Sequence, residues 1–404
     1  MKTRLLLLLV CVVSSVRADD WLQEDDWPVM EEAGSESTPS GWLAGLPAIR
    51  TELSVLRSQD DRQRRYQRAE LNLNYENSPA DGWFTQLQWR GRYFSAADIQ
   101  AQQQQQSYQH GQWQQAWLQY SGSQCSARAG KQTLIWGEVE GTFAVDVVTP
   151  LDATEPLLTD YASLRLAQTM LLLDCYQGAG RQQLQWQGFY IPRAGFNRWR
   201  HGGQQTSAIE RRVELGGRLR FTIPYADVSL MLAQLQENQP QLGLQNAEWQ
   251  WQAQPYQLAA ASASVALGDV LLKTDVGYKS RQSRVDSAAV LQRSARLDVA
   301  FGLEYTSYAN HRLNAGWWSR RELSGSGRQS VAPLWTAGWS RNYLNDELAM
   351  SALLNHDPHQ QLQTVTILGQ YRWNDAWQSD VAASLIDQRE RRFPQLTLRL
   401  KVTF

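Results

Sequence analysis

The chain has 404 residues, of which 39 are Lys or Arg and 40 are Asp or Glu, for a net charge of −1. That balance offers no electrostatic footprint for nucleic acid, and no stretch of about 18 uncharged apolar residues is present to cross a bilayer as a helix. Eighteen Trp and 15 Tyr, with little helix-type apolar periodicity, indicate a strand-rich protein with an aromatic excess.

Residues 1–18, MKTRLLLLLVCVVSSVRA, combine a basic start at Lys2 and Arg4, an apolar run from Leu5 to Val13, and Val16 and Ala18 as a cleavage site. A secretory signal peptide is expected, and removing Lys2, Arg4 and Arg17 with it takes the net charge from −1 to −4. Residues 19–48 are acidic and rich in Ser, Pro and Gly, a composition that cannot build a core, and are expected to form a periplasmic tail.

From Ile49 to Phe404 a two-residue rhythm dominates. In Arg296–Tyr305, Leu297, Val299, Phe301, Leu303 and Tyr305 share one face, while Arg296, Asp298, Ala300, Gly302 and Glu304 share the other. Val213, Leu215, Leu219, Phe221 and Ile223 oppose Glu214, Arg218 and Arg220 in the same way. Short turn signals fall near Pro79–Gly82, Gly122–Ser123, Gly178–Gly180, Pro224–Tyr225, Gly268–Asp269, Asn310–His311, Asn345–Asp346 and Asn374–Asp375. Longer links lie between them, at 95–111, 133–165, 193–209, 237–255, 281–293 and 323–332. Alternation of short and long connections is the rule of outer-membrane barrels. Assigning Gly243–Gln252 to a loop leaves an even count of about 18 antiparallel strands, with 16 as the alternative, and places both ends in the periplasm. A periplasmic sandwich or propeller would need a blade-like repeat or strands apolar on both faces, and neither is expected here. The Gln-rich tract at 101–106 sits in a loop and carries no chemistry.

The chain ends on QLTLRLKVTF, in which Leu396, Leu398, Leu400, Val402 and Phe404 alternate with Thr397, Arg399, Lys401 and Thr403. The apolar side suits outer-membrane lipid, and a terminal aromatic such as Phe404 is the form read by the barrel assembly machinery. A transmembrane antiparallel β-barrel of the cell outer membrane is therefore expected over residues 49–404.

Gly130-Lys-Gln and Trp136-Gly-Glu138, followed by an apolar stretch and Asp146-Val-Val-Thr-Pro-Leu-Asp152, resemble the signature of a proteobacterial outer-membrane barrel family of unknown function. The resemblance implies a porin-like protein and, for many members, work beside resistance-nodulation-division (RND) type exporters and periplasmic lipid-carrier-like proteins. This chain is short for that family.

The 133–165 link has its own chemistry. Phe143, Ala144, Val145, Val147 and Val148 make it too apolar for a solvated loop, and removing such surface from water is worth roughly 25 cal/mol per Å2. It is expected to fold inward, bringing Trp136, Glu138, Glu140, Asp146 and Asp152 into the lumen as a constriction or plug opposite arginines. The alternative role for these carboxylates is to tie the link to the wall through hydrogen bonds and ion pairs.

Catalytic and metal chemistry are not expected. His110, His201, His356 and His359 fall in predicted external loops and His311 at a turn, with no further ligand pair evident, and Pro358 bars a helix between His356 and His359; an outer-membrane phospholipase or protease with Ser and His converging at a rim is the enzymatic alternative. No cofactor is expected. Tryptophans 83, 89, 113, 117, 317, 318, 335, 339, 373 and 377 lie mostly near strand ends and are expected to form a headgroup girdle. Trp249 and Trp251, within the 237–255 loop, escape that role and are candidates for contacting a ligand. Cys125 and Cys175 lie on consecutive strands, both on the lipid side at the periplasmic end, where a direct pair would let a disulfide form in an oxidising compartment. The function expected is a channel passing a small polar or charged solute. The alternatives are the outer component of an RND-linked exporter for a hydrophobic or lipid-like molecule, and a surface binding or adhesive barrel.

Overall fold

The computed structural model describes residues 49–404 except 61–64, 99–107, 153–163, 180–181, 199–208, 246–247, 286–287, 324–329, 359–360 and 389–390. The expected signal peptide and tail, the Gln-rich tract, residues 153–163 of the inward link, His201 and His359 lie outside the described residues. Twenty strands run in chain order. They are β1 Ile49–Asp60, β2 Arg65–Asn77, β3 Trp83–Phe94, β4 Tyr108–Ser121, β5 Cys125–Gln132, β6 Gln168–Ala179, β7 Gln182–Ile191, β8 Glu214–Ile223, β9 Ala226–Gln236, and the short pair β10 Gln241–Gln245 and β11 Glu248–Gln252. The series continues with β12 Pro255–Leu267, β13 Val270–Val285, β14 Leu291–Thr306, β15 Arg312–Glu322, β16 Ser330–Tyr343, β17 Leu348–Asp357, β18 Leu362–Arg372, β19 Trp377–Gln388 and β20 Arg391–Thr403.

Eighteen of them form one antiparallel sheet that closes on itself. Closure joins β1 to β20 with Glu52 opposite Thr403, and Thr51 and Phe404 exchange backbone hydrogen bonds of 3.2 and 2.9 Å. The hairpin β10–β11 stands outside this sheet, in the 237–254 link, and β12 pairs with β9 across it. The expected removal of this element from the strand count therefore matches the structure. Closure leaves no sheet edge, which a strand protein in hydrocarbon cannot tolerate.

Turns and links alternate. Asn310, Leu344, Asn345 and Asp346 take φ of 57°, 55°, 51° and 66°, and Gly268 takes 62°, so the tight turns use the residue types that reach this region most easily apart from Leu344. The link expected at 281–293 is shorter than its pattern suggested. β13 and β14 have 16 residues each and extend to Val285 and from Leu291.

The outer surface carries the apolar half of each strand. Leu53, Val55, Leu171, Leu215, Leu230, Leu232, Phe301 and Ile367 are exposed there. Aromatic pairs ring the turn end, including Trp83 with Tyr120 at 5.0 Å and Tyr371 with Trp373 at 4.7 Å between centroids. Two of the expected girdle tryptophans turn inward instead. A bulge between β3 and β4 inserts Gln114 and reverses the alternation, so Trp113 and Leu118 both face outward while Trp117 faces the lumen beneath Arg128, whose guanidinium lies 4.1 Å from its ring. Trp318 follows the outward Trp317 by one residue and is therefore luminal, buried beside Phe143. His110 and His356 lie within β4 and β17, where the expectation had loops.

Candidate functional site

The 133–152 segment lies inside the barrel, on a bed that the alternation would otherwise leave wet. Leu134, Trp136, Val139, Ala144, Val145 and Val148 pack with Met170, Leu172, Phe189, Ile191, Met231, Leu235, Tyr256, Leu258 and Trp318 of the wall. As a result β6 and β9 are apolar on both faces, with Leu171 and Leu230 outward and Leu172 and Met231 inward, contrary to the expectation that no strand would be. A strand reads as continuously apolar where both faces are covered, one here by lipid and the other by the segment. Trp136 is buried, edge-on to Phe189, and its indole N–H donates to Gln187 at 2.7 Å.

Polar contacts fix the segment at points where its backbone turns away from itself. The two oxygens of Asp275 accept the backbone N–H groups of Glu138 at 3.1 Å and Val139 at 3.0 Å. Lys279 donates to the carbonyl of Phe143 at 2.8 Å and pairs with Asp298. Asn238 donates to the carbonyl of Val147 at 2.7 Å and Gln168 to that of Val148 at 2.8 Å. Thr149 ties the two ends of the segment, accepting from Leu134 N–H at 2.9 Å and donating to its carbonyl at 2.7 Å. The close approach is possible because β13 carries Gly277 under the segment, where an added Cβ would sit 2.4 Å from the carbonyl oxygen of Ala144.

The carboxylates named from the sequence divide into two groups. Glu138 is buried and pairs with Arg220 of β8 at 2.6 Å. Asp146 pairs with Arg165, which lies on the same link. Asp152 sits 3.7 Å from Arg92 and 4.0 Å from Arg198. These three latch the segment to the wall or to itself. Glu140 differs: it is exposed at the tip, next to Gly141 with its φ of 69°, and borders a cavity shared with Lys273, Glu304, Asn314 and Asn355.

The wall opposite the apolar bed is hydrophilic. Glu70 of β2 meets Arg92 at 2.9 Å and Arg90 at 3.5 Å, and Lys401 of β20 meets Glu52 of β1 at 2.8 Å. Arg68 lies 3.6 Å from Asp98 with both side chains buried. At the loop end, Glu237 links β9 to β13: it accepts from Gln254 N–H at 2.8 Å and from the N–H and hydroxyl of Ser283 at 2.5 and 2.6 Å. Burial pushes its carboxyl above the ordinary range, and these hydrogen bonds offset only part of that rise.

Among the other residues singled out, Trp249 is 61 % exposed on β11, opposite Leu244. Trp251 is half-buried opposite Leu242, and the hairpin leans on the β13–β14 link through Leu244 N–H to the Ala289 carbonyl. Phe404 is exposed at the turn-end rim. Cys125 and Cys175 oppose one another across β5 and β6 and are joined as a disulfide, with Cα atoms 4.0 Å apart. Asp275, Gly277, Lys279 and Gln187 were not anticipated, and Arg220 was placed on the hydrophilic face without its partner Glu138. Their sequence signal is slight: Lys273, Asp275, Gly277 and Lys279 alternate along β13 as polar or small residues on the inward face.

Among solved structures, the chain is similar to OpdK of Pseudomonas aeruginosa crystallised with vanillate, at 11 % identity over 88 % of this chain and 98 % of that one, with a TM-score of 0.55. OccK9 (OpdG) of Pseudomonas aeruginosa matches at 12 % identity over 88 % and 98 %, TM-score 0.54, and OccAB1 of Acinetobacter baumannii at 10 % over 88 % and 95 %, TM-score 0.52. The chain has the fold of outer-membrane β-barrels. At these identities the likeness speaks for the fold alone. No protein-family model and no curated protein sequence matches the chain.

Proposed function

We propose that this barrel is a channel that passes a small polar or charged solute through its lumen. The observation that carries this reading is the division of the interior. The inward segment covers the apolar bed of β6, β7, β9 and β12, and what it leaves uncovered is the charged wall of β1–β3 and β20. A solute passing the segment meets ion-paired Arg, Lys and carboxylates along one side and Glu140 at the tip on the other. Facing charges of this kind set a transverse field in a narrow passage. Barrels of about this size keep an aqueous lumen. OpdK, the similar barrel crystallised with vanillate, lends the same direction to the reading.

Export of a hydrophobic molecule beside an RND-type pump and a periplasmic carrier would call for an apolar track, but the apolar luminal surface is occupied by Val139, Ala144, Val145 and Val148 of the chain itself. Outer-membrane lipid and, through Phe404, the barrel assembly machinery are the partners that belong to the proposal. The test is conductance of the purified full chain in a planar bilayer. Discrete channel openings whose ion selectivity changes in Glu140→Gln are expected. A correctly inserted barrel with no openings in any salt would exclude the channel reading.

A further inference from the structure

The lipid-facing surface holds a cationic cluster that the channel does not use. At the turn end of β16, Arg341 points outward: its cross-strand partner is Met350, and Trp339 and Leu313 share its face one pair further in. A lone arginine at such a rim ordinarily extends its head into water. Arg341 does not. Its guanidinium is folded back, with Nη1 2.7 Å from His311 Nε2 and the guanidinium carbon 4.8 Å from the centroid of the Tyr343 ring. Its Nε is enclosed and has no hydrogen-bond partner. Among the described residues no carboxylate lies within ion-pair distance of it.

Donors outnumber acceptors in this cluster. Trp339 donates its indole N–H to His311 Nδ1 at 3.0 Å. Arg341 Nη1 faces the other ring nitrogen, Nε2, so two donors are aimed at a ring that offers at most one acceptor nitrogen, and neither tryptophan nor arginine can accept. An anionic oxygen bridging the imidazole and the guanidinium from the open side would accept from both and supply the counter-charge that the guanidinium lacks. Height and surroundings identify the anion. The cluster lies in the aromatic belt at the turn end, with Tyr371 and Trp373 two strands away; Leu313 and Met350 flank it at its own level, and apolar Ala337 and Leu354 lie one pair further in on the same face. In an even-stranded barrel this end is periplasmic and meets the inner leaflet.

We propose that Arg341, His311, Trp339 and Tyr343 form a headgroup site for the phosphate of a glycerophospholipid in the inner leaflet, whose acyl chains pass Leu313 and Met350 toward Ala337 and Leu354. The shared chemistry with free phosphate is the phosphoryl oxygen, and the acyl chains separate the two sources.

The test is native mass spectrometry of the full chain in neutral detergent, titrated with phosphatidylglycerol and separately with diacylglycerol. The wild type is expected to retain phosphatidylglycerol in preference to diacylglycerol, and Arg341→Gln to weaken that retention about tenfold, the scale of one charge-assisted contact. Arg341→Lys should fall between them, and Arg321→Gln, which removes an outward arginine at the loop end, should match the wild type. Equal retention of the two lipids by the wild type overturns the proposal without any variant. So does full retention by Arg341→Gln, or displacement of the lipid by millimolar inorganic phosphate, which would leave a site for the free anion.

Discussion

Gly277→Val tests whether the inward segment is seated on the wall. A Cβ at position 277 would lie 2.4 Å from the Ala144 carbonyl oxygen. Unstrained carbon–oxygen contacts of this type begin near about 3.3 Å, so the segment must withdraw by about 1 Å. It has little freedom to do so in place, because Ala144, Val145 and Val148 are fully buried and the carbonyl of Phe143 is held by Lys279 at 2.8 Å. Overpacking of this kind costs about 1–3 kcal/mol, which multiplies the unseated fraction by about 5–150-fold. The wall does not share the loss, since valine suits a strand better than glycine does. The assay is single-channel recording in a planar bilayer, where Gly277→Val should show larger or more frequent open states than the wild type. Gly188→Ala is the control, because a Cβ on that outward position meets nothing nearer than 3.9 Å. Conductance and open probability equal to the wild type in a correctly folded Gly277→Val barrel would refute the seating.

Asp275→Asn should unseat the same segment from its other side. The amide keeps one acceptor for Glu138 N–H or Val139 N–H and turns its NH2 toward the other, at a cost of about 1–3 kcal/mol that an open-probability measurement would register. For Glu237 the sign of the pH effect follows from burial. Its carboxyl titrates above the unfolded value, so its contribution is fully present below the ordinary carboxylate range and is lost as pH rises through the raised value. Hydrogen exchange at Gln254 and Ser283, corrected for intrinsic rates, should therefore accelerate with pH in the wild type and stay flat in Glu237→Gln. Cys175→Ser opens a ring closed over 50 residues, a loop worth about 4 kcal/mol in the chain-entropy account, and should lower the temperature at which the barrel unfolds on heat-modifiability gels. An unchanged temperature would mean that the ring contributes nothing beyond the ladder around it.

The sequence by itself determined the wall. Two-residue alternation assigns Leu297, Val299 and Phe301 to lipid and Asp298 and Ala300 to the lumen, because strand geometry leaves no third option. Turn chemistry sets the order of short and long connections, so eighteen strands with Gly243–Gln252 set aside were legible. The apolar run at 143–148 announced that the long link could not stay in water, and Cys125 and Cys175 were legible as neighbours because they flank one link on consecutive strands. What tertiary structure decided is where the segment goes and what holds it. Asp275 is 137 positions from Glu138, and Lys279 is 136 from Phe143, separations over which no periodicity carries information. The same holds for Trp117, turned inward by one inserted residue on its strand, and for Leu172 and Met231, luminal yet apolar. Such positions take their character from what covers them, and the cover is supplied only when the barrel closes around the segment.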